Sequence, residues 1–345
     1  MISLMAAGGL ALWVAVLGTP ILMRWLTRNR MGQQIREDGP HMHHAKAGTP
    51  TMGGIVIVTA MVVGYTFAHL DHVAFTRSGL LVVGVTVASG GIGFLDDWIK
   101  IRHRRSLGLN KRGKMAAQIV VAAAFGLLAV HWSGVNTHLS FTRWNSIGLN
   151  LGSTGWIVFA VVVMVATSNA VNLTDGLDGL AAGSGTFCFA ILAIIGYWQF
   201  RHSPIYRVHP ALDLALVAVA MAGACLGFLW WNAAPARIFM GDTGSLAIGS
   251  ALAGLCLLMN LDLLLIVIGG LFVVETTSVL VQVVSYRAFG RRVFRMAPLH
   301  HHFELGGWPE TTVIVRFWIL AGLFAALALG LFYADFLQQP GQGLH

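Results

Sequence analysis

The acids, lysines and histidines that could do chemistry in this chain fall into five polar stretches separated by long apolar runs. One is Gly241-Asp242-Thr243-Gly244-Ser245, where a carboxylate and two glycines sit at the mouth of a pair of apolar runs, entered through Trp230 to Met240. A second is Asp96-Asp97 with Lys100. Adjacent acids at an apolar boundary repel each other unless a cation or a phosphate-bound metal neutralises them. Lys100 follows Asp96 by four residues and Asp97 by three, so on a continuing helix it lies over the same face; a magnesium-phosphate site is the favoured reading, with an interfacial cap closed by an ion pair as the alternative. A third stretch, Asn172 with Asp175 and Asp178, has no basic residue to pair its acids, which points to a ligand or metal. A calcium loop is disfavoured, because the EF-hand spacing and its terminal Glu are absent. The fourth is the run His300-His301-His302. Successive side chains on a helix diverge by about 100°, so the three cannot share one metal, and imidazoles that donate to phosphate or orient a carboxylate fit better. The fifth sets Lys46 beside a Gly- and Pro-rich turn, where its ammonium is either solvated or within reach of a phosphate or a base carbonyl.

The elements that must position these residues are read from composition. The chain has 345 residues, 56% hydrophobic and only 10% charged, and its mean hydropathy is +0.73. That excludes a soluble domain and implies an integral membrane protein. A helix needs about 20 apolar residues to cross a hydrocarbon core about 30 Å thick. Ten runs qualify: 2–23, 53–70, 78–95, 115–133, 154–171, 180–198, 211–231, 244–259, 263–284 and 313–335. The expected fold is therefore an all-α integral membrane protein of about ten transmembrane helices, one catalytic domain over residues 1–345. Of 22 Lys and Arg, 17 fall in the loops that alternate onto one side. The positive-inside rule makes that side cytoplasmic, with both termini extracytoplasmic and the active site in the cytoplasmic loops. The formal charge of +8 is mostly this signal, with a share left to attract anionic substrate and lipid headgroups; nucleic acid is not expected as a partner.

Other residues carry weaker signals. Lys114 ends the basic segment that begins at Arg102 and is its member best placed to project into a site. Asn232 precedes Asp242 by ten residues, and Pro235 between them breaks the helix so that the loop folds back. Phe239 in that turn is either a hydrophobic anchor or a stacking platform. Glu275, inside the ninth run, is read as bundle-internal, with Thr276 and Thr277 as candidate partners. Residues 137–150 alternate polar and apolar and suggest a short hairpin outside. Cys188, Cys225 and Cys256 lie in apolar runs without paired spacing, so neither disulfides nor zinc is indicated. The first run has its basic flank after it, the reverse of a cleavable signal peptide.

Taken together, the Lys46 to Gly54 stretch, Asp96-Asp97 with Lys100, Asn169 to Leu180, Asn232 to Leu246, Val273 to Gln282 and Arg295 to Glu310 resemble the phospho-N-acetylmuramoyl-pentapeptide transferases. These belong to the polyprenyl-phosphate N-acetylhexosamine-1-phosphate transferase superfamily. The run from Pro298 through the histidines to Glu310 separates MraY-like members from their sugar-transferring relatives. The resemblance implies a magnesium-dependent enzyme of the bacterial cytoplasmic (inner) membrane, likewise a homodimer. It would move phospho-MurNAc-pentapeptide from UDP-MurNAc-pentapeptide to undecaprenyl phosphate, giving lipid I and UMP in peptidoglycan synthesis. It further implies that Asp96, Asp97 and Asp242 are catalytic, with one or more of His300, His301 and His302. Asp242 would sit at the magnesium, with Asp175 a further candidate ligand. Lys46, Asp178 and Phe239 would contact uridine.

The physical problem for such an enzyme is to bring a lipid phosphate to a diphosphate. Magnesium, with Lys100 and Lys114 near the phosphates, would cancel the repulsion. In-line attack by the lipid phosphate and a two-step route through a carboxylate both remain open. Rival readings are a GlcNAc-1-phosphate transferase of the same superfamily and, in another class, a secondary transporter with Glu275 on its ion path.

Overall fold

A computed structural model describes residues 1–29, 48–71, 73–103 and 108–339, and among them the chain is mainly helical, with an isolated antiparallel bridge between His138 and Asn150. The helices are α1 (Ile2–Arg28), α2 (Gly54–Ala68), α3 (Arg77–Arg102), α4 (Lys111–Leu128), α5 (Gly152–Thr174), α6 (Leu180–Arg201), α7 (Ser203–Tyr206), α8 (Ala211–Asn232), α9 (Gly241–Leu258), α10 (Leu264–Ile268), α11 (Gly270–Phe289), α12 (Leu299–Glu304) and α13 (Glu310–Leu337). Among the described residues nine are long and apolar enough to cross a membrane; α2, of 15 residues, is the shorter helix in the expected run 53–70. The chain is a multi-pass membrane protein.

The ninth expected run, 263–284, is broken: α10 stops at Gly269 and α11 continues to Phe289. The bridge at 138 and 150, with Leu139 N–H donating to Leu149 O at 2.8 Å, is the short hairpin the alternation suggested.

The middle of the bundle is α9, buried from Thr243 to Leu258. Lipid is as apolar as leucine, so helices in a membrane gain by packing closely through small residues. α9 is rich in them, and α3 and α5 lie against it. Gly93 of α3 rests on the backbone carbonyl of Asp242, where any Cβ would collide. That approach brings the end of α3 onto the start of α9. Outside the core, α11 shows lipid-facing Leu280, Val281, Val284 and Phe289.

At the end of the bundle away from Asp242, a buried network ties α2 to α3 and α8. Asp213 accepts from Thr76 N–H at 2.8 Å and Thr76 Oγ1 at 2.6 Å, and lies 3.0 Å from His69 Nε2. Nearby, Ser140 donates to Asp262 through N–H at 3.0 Å and Oγ at 2.7 Å. Burial pushes the Asp262 carboxyl up to about 7, against the hydrogen bonds from Ser140 that pull it down.

Candidate active site

The acids expected in polar loops sit instead on helix ends. Asp96, Asp97 and Lys100 ride the last two turns of α3, Lys114 the first turn of α4, Asn172 the last turn of α5, and Asp242 the first turn of α9. Asn110 caps α4, its Oδ1 accepting from Gly113 N–H at 2.5 Å, which sets the angle from which Lys114 reaches inward.

These ends meet at Asp242. Its Oδ2 accepts from Lys100 Nζ at 2.7 Å and Lys114 Nζ at 2.8 Å, and its Oδ1 from Asn172 Nδ2 at 2.6 Å. Asn172 also donates to Ser245 Oγ at 2.8 Å, one turn along α9. Lys100 simultaneously pairs with Asp96 at 2.6 Å. Asp96 Oδ1 takes the Leu109 N–H at 2.8 Å. Asp97 has a different employment: Oδ1 accepts from Asp242 N–H at 3.2 Å, and Oδ2 from Thr243 N–H at 3.0 Å and Thr243 Oγ1 at 2.8 Å. It closes the N-terminus of α9, where free N–H groups and the helix dipole favour an anion.

One carboxylate oxygen each from Asp96, Asp97 and Asp242 lies within 4.8 Å of the other two. Asp175, just past α5, accepts no hydrogen bond among the described residues; burial, and then the charges of Asp242, Asp97 and Asp178, push its carboxyl up to about 8. Four carboxylates therefore face two ammonium groups among the described residues. All-oxygen donors with surplus negative charge suit a hard divalent cation. These residues fit magnesium.

Three loops close around this point. Asp178 accepts the Ala236 N–H at 2.9 Å and donates its own N–H to Glu310 at 3.2 Å. Asn232 Nδ2 donates to Ile238 O at 2.9 Å, folding residues 233–238 back on the end of α8. Phe239 N–H donates to Pro50 O at 2.8 Å, and the Gly53 N–H returns a bond to Phe239 O at 2.8 Å. The Gly-rich turn that follows Lys46 is thereby pinned beside Phe239. Lys46 itself lies outside the described residues.

The histidines diverge as their spacing required. His301 Nδ1 is 2.7 Å from Glu304, and His302 Nδ1 accepts from Arg295 N–H at 3.1 Å. His300 is fully buried, 3.2 Å from Glu275, with its Nε2 edge against Gly176, where a side chain would strike the ring.

Two sequence profiles match. Glycosyl transferase family 4 covers residues 79–260, and the phospho-N-acetylmuramoyl-pentapeptide-transferase signature 1 covers residues 46–58. The chain is 55% identical to the phospho-N-acetylmuramoyl-pentapeptide-transferase of Frankia alni, with 96% of this chain and 97% of the relative aligned. It is 51% identical to that of Rhodococcus opacus over 97% and 98%, and 48% identical to that of Mycobacterium tuberculosis over 98% and 99%. The chain belongs to the phospho-N-acetylmuramoyl-pentapeptide transferase family. The match at 46–58 is the Lys46 turn, and the match at 79–260 takes in every acid that converges on Asp242.

Of the residues singled out in this transferase from sequence, Asp96, Asp97, Lys100, Lys114, Asn172 and Asp242 form one contact network. Asp178, Asn232 and Phe239 hold the adjoining loops. Sequence reasoning passed over Glu310, which meets Asp178, and Thr243, whose hydroxyl satisfies Asp97. It also left Glu275 as a packing acid; its place in an apolar run was the signal that a partner existed.

Proposed function

We propose that this membrane transferase moves phospho-MurNAc-pentapeptide from UDP-MurNAc-pentapeptide to undecaprenyl phosphate, releasing UMP and leaving lipid I. The observation that carries the site assignment is the convergence of Lys100, Lys114 and Asn172 on the one carboxylate of Asp242. Two anions must meet in this reaction. Paired ammonium groups at one point lower the repulsion between lipid phosphate and diphosphate, and stabilise the charge that develops on the departing UMP.

Asp242, Asp96 and Asp175 would hold a magnesium ion, which when bound neutralises the diphosphate and polarises its oxygens. Asp97, spent on the first turn of α9, sets the direction of Asp242 and Thr243. Asn172 fixes the rotamer of Asp242 through its bond to Oδ1. The lipid phosphate is largely dianionic at neutral pH, its second pKa being about 6, so attack needs little help from a base; Asp96 takes at most a residual proton. On the nucleotide side, Phe239 offers a ring to the uracil and Asp178 lies in the adjoining loop; the resemblance adds Lys46 as a further uridine contact.

This end of the bundle faces the cytoplasm at the inner membrane, where the UDP-linked substrate is soluble; the bias of basic residues supports that reading. Two copies of the chain work as a homodimer, in keeping with the resemblance. The test is UMP release by purified protein with undecaprenyl phosphate, magnesium and either UDP-MurNAc-pentapeptide or UDP-GlcNAc. Release confined to the pentapeptide substrate supports the assignment. Release with UDP-GlcNAc alone would move the chain to the other branch of the superfamily.

A further inference from the structure

Glu275 and His300 are the most deeply buried acid and imidazole near the site, both without solvent exposure. They lie on different elements, α11 and α12, and their contact joins the bundle to the histidine run. A carboxylate buried in a membrane helix is costly unless donors face it. One donates outright, the Leu299 N–H to Oε2 at 2.7 Å; His300 Nδ1 stands 3.2 Å from Oε1, at ion-pair distance but not aligned as a hydrogen bond. A second strap from the same helix reinforces this geometry: Gln282 Oε1 accepts Val293 N–H at 3.0 Å and Phe294 N–H at 2.9 Å. Residues 293–300 are thus fixed to α11 at two points about two turns apart.

The other edge of the His300 ring is the informative one. Both ring nitrogens are buried and neither is hydrogen-bonded among the described residues; Nε2 faces Gly176 in the loop of Asp175 and Asp178. A neutral imidazole carries one N–H and one lone pair, and which nitrogen holds the proton is decided by what the other meets. A carboxylate oxygen 3.2 Å from Nδ1 favours the proton on that nitrogen. The lone pair of Nε2 is then presented to the loop that carries the candidate metal and substrate residues.

We propose that Glu275 is a positioning residue for the transfer reaction: it holds His300 in one tautomer and one orientation, Nε2 toward the 175–178 loop, and acts only through that ring. The proposal rests on the reading of His300 as a reacting or substrate-contacting group. An amide at 275 separates this role from simple capping. Glutamine keeps one carbonyl for the Leu299 N–H, but its second group is a donor, which meets a donor at Nδ1 and forces the other tautomer or frees the ring.

The experiment compares UMP release by the wild type, Glu275→Gln, Glu275→Asp, His300→Gln and the Glu275→Gln/His300→Gln pair, each checked for monodispersity and thermal midpoint. For Glu275→Gln we expect kcat to fall about 100-fold, the scale of one positioned acid–base group, with the thermal midpoint retained. The KM for UDP-MurNAc-pentapeptide should stay within about threefold, the pattern of an interaction made in the transition state. In the His300→Gln background the same change should cost less than about twofold, because contacts that act as a unit do not add. Glu275→Asp, which keeps two acceptors, should exceed Glu275→Gln in kcat. It decides the matter if His300→Gln is too slow to measure. If the glutamine variant does not fold, Glu275→Asp is read against wild type, where a kcat loss with unchanged KM is expected and a KM rise with unchanged kcat would overturn the proposal. Wild-type kcat in Glu275→Gln or in His300→Gln, an equal loss in both backgrounds, or aspartate no better than glutamine would each overturn the proposal.

Discussion

Asp242 illustrates how one carboxylate can organise a site. Three donors reach it from three helices, so its charge is fixed in direction. Lys100→Met and Lys114→Met should each lower kcat about 100-fold, the effect of deleting one preorganised donor, with a smaller change in KM. Turnover within about threefold of wild type in either variant would argue against phosphate contact. Asp175 adds a pH signature. Its carboxyl, pushed up to about 8, is protonated below that pH in the metal-free protein. A cation must displace the proton, so the magnesium concentration needed for half-maximal UMP release should fall as pH rises toward 8 and then level. In Asp175→Asn that slope should shrink, read by magnesium titrations at several pH values.

Helices, rather than loops, carry the site, and their ends depend on caps. Asp97 satisfies two N–H groups and a hydroxyl at the start of α9. Asp97→Ala should lower stability by about 1–2 kcal/mol, as cap removal does, and also lose activity because Asp242 swings free; Thr243→Val should cost less of both. A thermal melt beside a kcat measurement checks the pairing. At the other end, Asp262 has a carboxyl raised to about 7 by burial. Between about pH 4 and 7 it is protonated in the fold and ionised in the unfolded chain, so the unfolded state binds fewer protons. Stability from this group therefore falls as pH rises through that window, by at most about 4 kcal/mol, and is level above it. Asp262→Asn should flatten the decline of the thermal midpoint across that range.

For the whole molecule, orientation is the claim with the plainest test. Cys188, Cys225 and Cys256 are buried, so a single introduced cysteine reports cleanly. An impermeant maleimide added to intact spheroplasts should label Asn145→Cys, in the hairpin loop, and spare Arg292→Cys, after α11; the reverse pattern would invert the protein. Much of this architecture was legible in the sequence. Runs of apolar residues marked the nine long helices and the shorter α2 among the described residues, and scarce acids in polar stretches marked the candidate site, because both signals are local. What stayed hidden depends on residues far apart in the chain. Nothing near Asp97 announces that Thr243 will need it, nothing near Asp178 announces Ala236, and the broken helix at Gly269 read as one continuous apolar run. Glu275 was visible as an oddity but its partner His300 was not. The central claim, that catalysis is assembled on Asp242, is tested most directly by the kcat of Asp242→Asn in folded protein. The account predicts a loss of at least about 100-fold in UMP release with UDP-MurNAc-pentapeptide still bound; turnover within about tenfold of wild type would contradict it.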